Sequence, residues 1–260
     1  MGKYYVKEVQ VPQLTAGPTA FSDADVLFDW IAFEIPKGTA CLKSIQLVMP
    51  GTNGADANAH DIELFFAKSI NGVAPTTVGT QNAAVSSSGA SARYRRNIIG
   101  FKHLDASTRS DDEDLLGFNV WGSGLTTIAH DAASTYNTQS TELILQGDPA
   151  YGSTQGYQTI FVAGIAKGAF DFGTGVALNN SPVNQAATTV ETTLTTSGTD
   201  AQACFQIGDE VVAQDGAKIG SVTDIPGSTS IKVDAVEEAL TNADEICLKY
   251  PITFHFGFEY

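Results

Sequence analysis

Phe254, Phe256, Phe258 and Tyr260 alternate with Thr253, His255, Gly257 and Glu259 at the C-terminus. Period-two alternation puts one set on a buried face and the other on an open face, and it predicts a core strand carrying four aromatic rings. Lys3–Val11 alternates similarly with a mixed face. In Asp25–Ile35, Val26, Phe28 and Trp30 fall on one side and Leu27, Ile31, Phe33 and Ile35 on the other, which predicts a strand buried on both faces. Further strands are expected at Leu42–Met49, Asp61–Ala67, Asn97–Phe101, Leu116–Trp121, Glu142–Gln146 and Gln158–Ala166. With the C-terminal strand these make about nine, enough for a two-sheet sandwich. A helical period is confined to one or two turns near Asp234–Leu240.

The pattern changes after Pro182. Residues 188–199 hold seven threonines, and residues 184–250 hold only two aromatics, Phe205 and Tyr250, against 22 in the rest of the chain. Within this stretch, short apolar runs are separated by turn residues. Gly208–Val212, Asp215-Gly216 and Lys218–Val222 form a strong hairpin signal, followed by Pro226-Gly227, Thr229–Val233 and Glu245–Leu248. This reads as a small β-barrel module of about five strands. Residues 252–260 then return to the aromatic alternation of the first 183 residues. Four aromatic rings on one face need a core to bury them, at about 25 cal/mol per Å² of apolar surface. The expected organisation is therefore a main sandwich of residues 1–183 plus 251–260, with residues 184–250 inserted.

Composition sharpens the class. The chain has 260 residues, 17% of them charged, with 25 Gly, 27 Thr and 18 Ser. Few charges and many small polar residues suit an all-β chain with tight turns, and they argue against coiled coils and disorder. The net charge is −15. A chain this acidic lacks the basic face that nucleic acid requires, and an anionic membrane surface repels it. The charge is also polarised: residues 1–110 sum to +1 and residues 111–260 to −16, of which 184–250 contribute −8. No signal peptide or apolar span is visible, so synthesis and folding are expected in a cytoplasm.

Catalytic motifs are absent: no P-loop, nucleophile elbow or His-Glu-x-x-His occurs. Gly122-Ser123-Gly124 and Gly173-Thr174-Gly175 read as turns. His60, His103, His130 and His255 are scattered, and no catalytic, cofactor or metal residue is assigned. Asp111–Asp114 reads as a solvated turn, because a calcium loop needs spaced ligands and a central glycine. Arg93-Tyr94-Arg95-Arg96 is the basic cluster of the chain. On a strand, Arg93 and Arg95 would share one face and Tyr94 and Arg96 the other. The cluster is either a docking strip for an acidic neighbour, formed by Arg93, Arg95 and Arg96, or a solubilised strand edge. Cys204 and Cys247 lie near the first and last strands of the module, and two buried thiols are preferred to a disulfide. Asn179-Asn180-Ser181 is a formal sequon that a cytoplasmic chain would not use. Lys3–Val11 can stay in its own sheet or add to a neighbour's.

Several segments resemble virion structural proteins of tailed phages infecting marine bacteria. They are Leu27–Trp30, Phe33–Gly38, Ile62–Asn71, and Val162–Ala166 with Gly168–Gly175. The run from Ile207–Val211 through Ile219-Gly220 to Ala243–Glu245 is similar to a small β unit of several phage particle proteins. The resemblance implies a non-enzymatic virion protein, a capsid decoration (cement) protein with a jelly-roll-like core. It would lie on the outer capsid surface, bound to the major capsid protein and to itself as a homotrimer, without cofactor, nucleic acid or membrane. Its arginines would face the lattice and its acidic module the solvent. The alternative is a tail- or fibre-associated protein that binds host glycans; Tyr136, Tyr151 and Tyr157, in Gly/Ser/Thr-rich loops, are either the platforms that stack the sugars or, as the more ordinary reading, tyrosines at the rim of the core. An enzyme acting on polysaccharides would need paired carboxylates in a cleft.

Overall fold

The computed structural model describes residues 2–12, 20–50, 60–86, 89–104, 106, 118–123, 142–170, 176–177, 185–196, 201–213, 218–241 and 244–260. Strand makes up 57% of them. The strands are β1 (Tyr4–Val11), β2 (Val26–Pro36), β3 (Ala40–Pro50), β4 (Asp61–Ala67), β5 (Ile98–Leu104), β6 (Phe118–Ser123), β7 (Leu143–Leu145), β8 (Tyr157–Lys167), β9 (Val176–Ala177), β10 (Thr192–Thr195), β11 (Glu210–Ala213), β12 (Lys218–Gly227), β13 (Ser230–Val233), β14 (Glu245–Leu248) and β15 (Ile252–Glu259).

Three antiparallel sheets result. The first runs β1-β15-β3-β6, with β7 also on β3, and the second runs β2-β8-β4-β5. The chain crosses between these two sheets at every step except β4 to β5, and from β6 to β7, which extends the same edge. This is the double Greek key of a jelly roll. The two inner faces share one core, including Val9, Leu47, Phe254, Phe256 and Phe258 from the first sheet and Phe33, Ile62, Phe66 and Val162 from the second.

β15 sits between β1 and β3, pairing Phe256 with Lys7 on one side and with Ile45 on the other. Its aromatic ladder explains why this position is central. Phe256 stacks on Phe254 and Phe33, with ring centroids 5.6 and 5.4 Å away, and meets Phe66 edge-on at 5.6 Å. Tyr260, expected on the same buried face, is instead 45% exposed. The core layer ends with Phe258, and Tyr260 lies one residue beyond the strand, holding Lys3 through backbone hydrogen bonds.

β2 is buried on both faces, as its double apolar pattern predicts, but its alternation breaks. Leu27 and Phe28 both enter the central core while Val26 joins a cluster on the other side. Register shifts on either side of Phe28 explain this, because a bulge re-aims consecutive side chains.

The third sheet, β10-β13-β12-β11-β14-β9, has its own core, in which Leu194, Val211, Ile219, Ile231 and Ile246 meet. β12 ladders with β11 at its start and with β13 beyond Val222, and its bulges turn the strand between the two. Two strands of this sheet carry no alternation in the sequence: β10, in the threonine-rich run, and the two-residue β9, which pairs with β14 although it precedes residue 184. The helical turn expected near Asp234–Leu240 is absent. Val236 and Leu240 bridge to Thr188 and Gln185 instead, and a four-residue helix, α1, forms at Ala201–Cys204. Cys41, Cys204 and Cys247 carry thiols, with Cys204 buried and Cys247 half-buried.

Candidate docking surfaces

The strands define two ends of the sandwich. Tyr4 of β1 lies opposite Glu259 of β15, and Pro36 of β2 opposite Tyr157 of β8, so these residues share one end, the tip. Val11, Ile252, Asp61 and Lys167 mark the other end, where the chain leaves for the module.

Residues 68–86 and 89–97 cover the outer face of the second sheet. Val78, Val85 and Tyr94 pack there with Val26, Trp30, Phe65, Ala163 and Ile165. The cover is tied down by Trp30 Nε1 donating to the Thr76 carbonyl (2.8 Å), Val78 N–H to Asp29 (2.9 Å) and Asn97 Nδ2 to the Lys68 carbonyl (2.8 Å). Arg93, Arg95 and Arg96 are on this cover. They belong to a 3-10 helix, Gly89–Arg96, and not to a strand, so the expected strand-like split of their side chains does not hold. The reason is Tyr94. Its ring is 6% exposed and lies edge-on to Trp30 at 6.2 Å, and its hydroxyl donates to the Ser86 carbonyl at 2.9 Å. With three residues per turn and one residue anchored inward, the flanking arginines are all exposed.

The module meets the opposite broad side at the end where the chain leaves for it. Gln10, Val48 and Thr253 lie on the outer face of the first sheet, and with Gln206, Asp209 and Tyr250 of the module they line a cleft of about 360 Å³. Burial pushes the Asp209 carboxyl above its ordinary range, partly offset by a backbone hydrogen bond from Gln206. Elsewhere this outer face exposes Tyr4 (76%), Val6 (65%) and Ile144 (70%). Lys43 joins the strands there, reaching Glu142 at 2.6 Å and Glu259 at 3.1 Å. The hydrogen bond from Lys43 holds the Glu142 carboxyl low.

The tip gathers tyrosines that are far apart in sequence. Tyr5 lies 6.1 Å from Tyr157, ring to ring, and burial with Tyr157, Glu34 and Tyr260 nearby pushes its hydroxyl up. Residues 146–158 curl beside the β2–β3 turn and enclose a cleft of about 480 Å³. Two carboxylates fix this loop. Glu34 accepts from Thr154 N–H at 2.6 Å, which lowers its pKa. Asp148 accepts from Gly72 N–H (2.8 Å), Ala150 N–H (2.9 Å) and the Ser69 hydroxyl (3.1 Å), and the two backbone bonds hold it low. The sequence signal for this loop was its run of glycine, serine, threonine and tyrosine. Its partner turn, more than 100 residues earlier, carried none.

The remaining candidates are dispersed. His60 stacks edge-on with Phe170, and His103 contacts Asp61 at 2.9 Å with Glu63 at 4.0 Å. His255 is half-buried on the outer face of β15. Among the described residues no cluster of three or more His, Cys, Asp or Glu is placed to hold a metal ion. Asp111–Asp114, His130, Tyr136, Gly173–Gly175 and the Asn179 sequon lie outside the described residues. No family model, curated protein or solved structure matches the chain.

Proposed function

We propose that this chain is a non-enzymatic structural protein of a tailed-phage virion, a capsid decoration protein that binds the outer capsid surface. The observation that carries this reading is the placement of charge across the sandwich. Exposed Arg93, Arg95 and Arg96 lie on the cover of the second sheet. The module, three basic against eleven acidic residues, meets the outer face of the first sheet, on the other side. A molecule so arranged docks its basic side on an acidic lattice and turns a repulsive surface to solvent, which keeps particles apart. The doubly cored β scaffold supplies rigidity, and contact spread over neighbouring capsid subunits raises the cost of separating them. Assembly as a homotrimer at lattice three-fold positions belongs to the same proposal.

The test is immunogold electron microscopy on purified particles of the virus that encodes the chain, with antibody raised against residues 184–250. Even labelling over the head supports decoration and an outward module. Labelling confined to the tail moves the role to adsorption. Particles that neither label nor contain the protein on a gel overturn the virion reading.

A further inference from the structure

The cleft at the tip has the features of a ligand site, and its chemistry selects a ligand class. Its volume, about 480 Å³, lies within the usual range for small-molecule sites. Its wall is built from residues 146–158 and the turn at Lys37-Gly38. The loop is held at many points despite its three glycines. Besides the Glu34 and Asp148 anchors, Lys37 N–H donates to Gly156 (2.9 Å), Tyr157 N–H to Thr154 (2.9 Å) and Gln158 Nε2 to the carbonyls of Pro36 and Gly38. The Ser153 and Thr159 hydroxyls share a further bond of 2.8 Å. A loop ordered in advance does not spend binding energy on ordering.

The aromatic rings are equally fixed. Tyr157, 37% exposed, is backed by Tyr5, and Tyr151 rests edge-on against Phe161 at 5.4 Å. Charge is nearly excluded. The only acidic group in the wall, Asp148, already accepts three hydrogen bonds, and Lys37 is the only cation. A metal ion or a polyphosphate would find too few opposite charges. A neutral ring with one C–H face to stack and a rim of hydroxyls to bond suits tyrosine planes beside loop amides, carbonyls and the exposed Gln146 and Gln155.

We infer that the tip cleft formed by residues 146–158 and the Lys37-Gly38 turn is a carbohydrate subsite that binds a neutral pyranose stacked on Tyr157. This inference does not rest on the decoration reading, since the tip lies at the end of the sandwich away from the module.

The test is saturation-transfer NMR on the full chain, with the methyl glycosides of glucose, galactose, mannose and N-acetylglucosamine as probes at millimolar concentration. The expected result is transfer to the ring C–H protons of at least one probe. Backbone amides of residues 147–158 should shift in parallel. Tyr157→Ala is expected to weaken binding about tenfold while Tyr157→Phe, which keeps the ring, retains it. Absence of transfer from all four probes overturns the inference, as does an affinity that Tyr157→Ala leaves unchanged. If Tyr157→Ala instead releases the protein from virus particles while no sugar binds, the tip is a protein contact and the inference falls.

Discussion

The ring of Phe28 occupies the space that a side chain at position 164 would need. The two residues face each other across β2 and β8, and a Cβ built on Gly164 would lie only 2.2 Å from Cε1 of the Phe28 ring. That ring is 3% exposed and packs against Phe254 at 5.7 Å, so it has nowhere to go. Gly164→Ala should therefore cost about 1–3 kcal/mol by overpacking, read from urea unfolding. Phe28→Leu in the same chain should recover part of that loss, giving a non-zero coupling in a double-mutant cycle.

The two separate cores should unfold separately when one is weakened. Ile231 is fully buried in the module core, and both tryptophans, Trp30 and Trp121, lie in the sandwich. Ile231→Ala, at about 2–5 kcal/mol, should produce an early transition in far-UV circular dichroism that tryptophan fluorescence does not follow. Coincident transitions would show the module and the sandwich to be one cooperative unit.

Acid should loosen the tip. Glu34 and Asp148 have folded pKa values below their ordinary ones, because each carboxylate accepts backbone N–H bonds. Their contribution is complete above the unfolded carboxyl range, about 4, and is lost as pH falls towards the depressed folded values. Protection of the Thr154 and Ala150 amides against hydrogen exchange, measured relative to the unfolded chain at the same pH, should fall over that interval. Glu34→Gln and Asp148→Asn should each lower that protection at neutral pH and flatten its pH dependence.

Asp209 should act in the opposite direction. Burial raises its folded pKa above the unfolded value, so the folded state holds its proton longer. Its effect is absent at pH below the unfolded pKa, and stability falls as pH rises through the interval up to the folded pKa. Asp209→Asn should stabilise the module at neutral pH and change nothing in acid, measured by thermal unfolding at both.

Attachment through the arginine cover should depend on salt. The Debye length falls from about 8 Å at 0.15 M to about 3 Å at 1 M, so washing particles in high salt should release the protein. Changing Arg93, Arg95 and Arg96 together to glutamate should abolish attachment at low salt, with circular dichroism at the same temperature showing the β fold retained, since all three side chains are exposed. Retention of this variant on particles would exclude the cover as the docking side.

Period-two patterning by itself determined most strands of the sandwich and the buried face of β15, because alternation is a local property of the chain. Phe254, Phe256 and Phe258 are buried to within 1% as their spacing requires, and the break in composition after Pro182 marks the segment whose residues build a separate core. Tertiary structure alone decided what depends on partners distant in sequence. Tyr94 became the anchor of a 3-10 helix because Trp30 and Ser86 meet it there, so three arginines that looked like part of a strand share an exposed turn. β15 lies between β1 and β3 through pairings with residues more than 200 positions earlier. The tip cleft joins Lys37 to Gly156 by a backbone bond that no local pattern encodes. Alternation tells which side of a strand is buried, and only the packed fold decides which surfaces then lie beside one another.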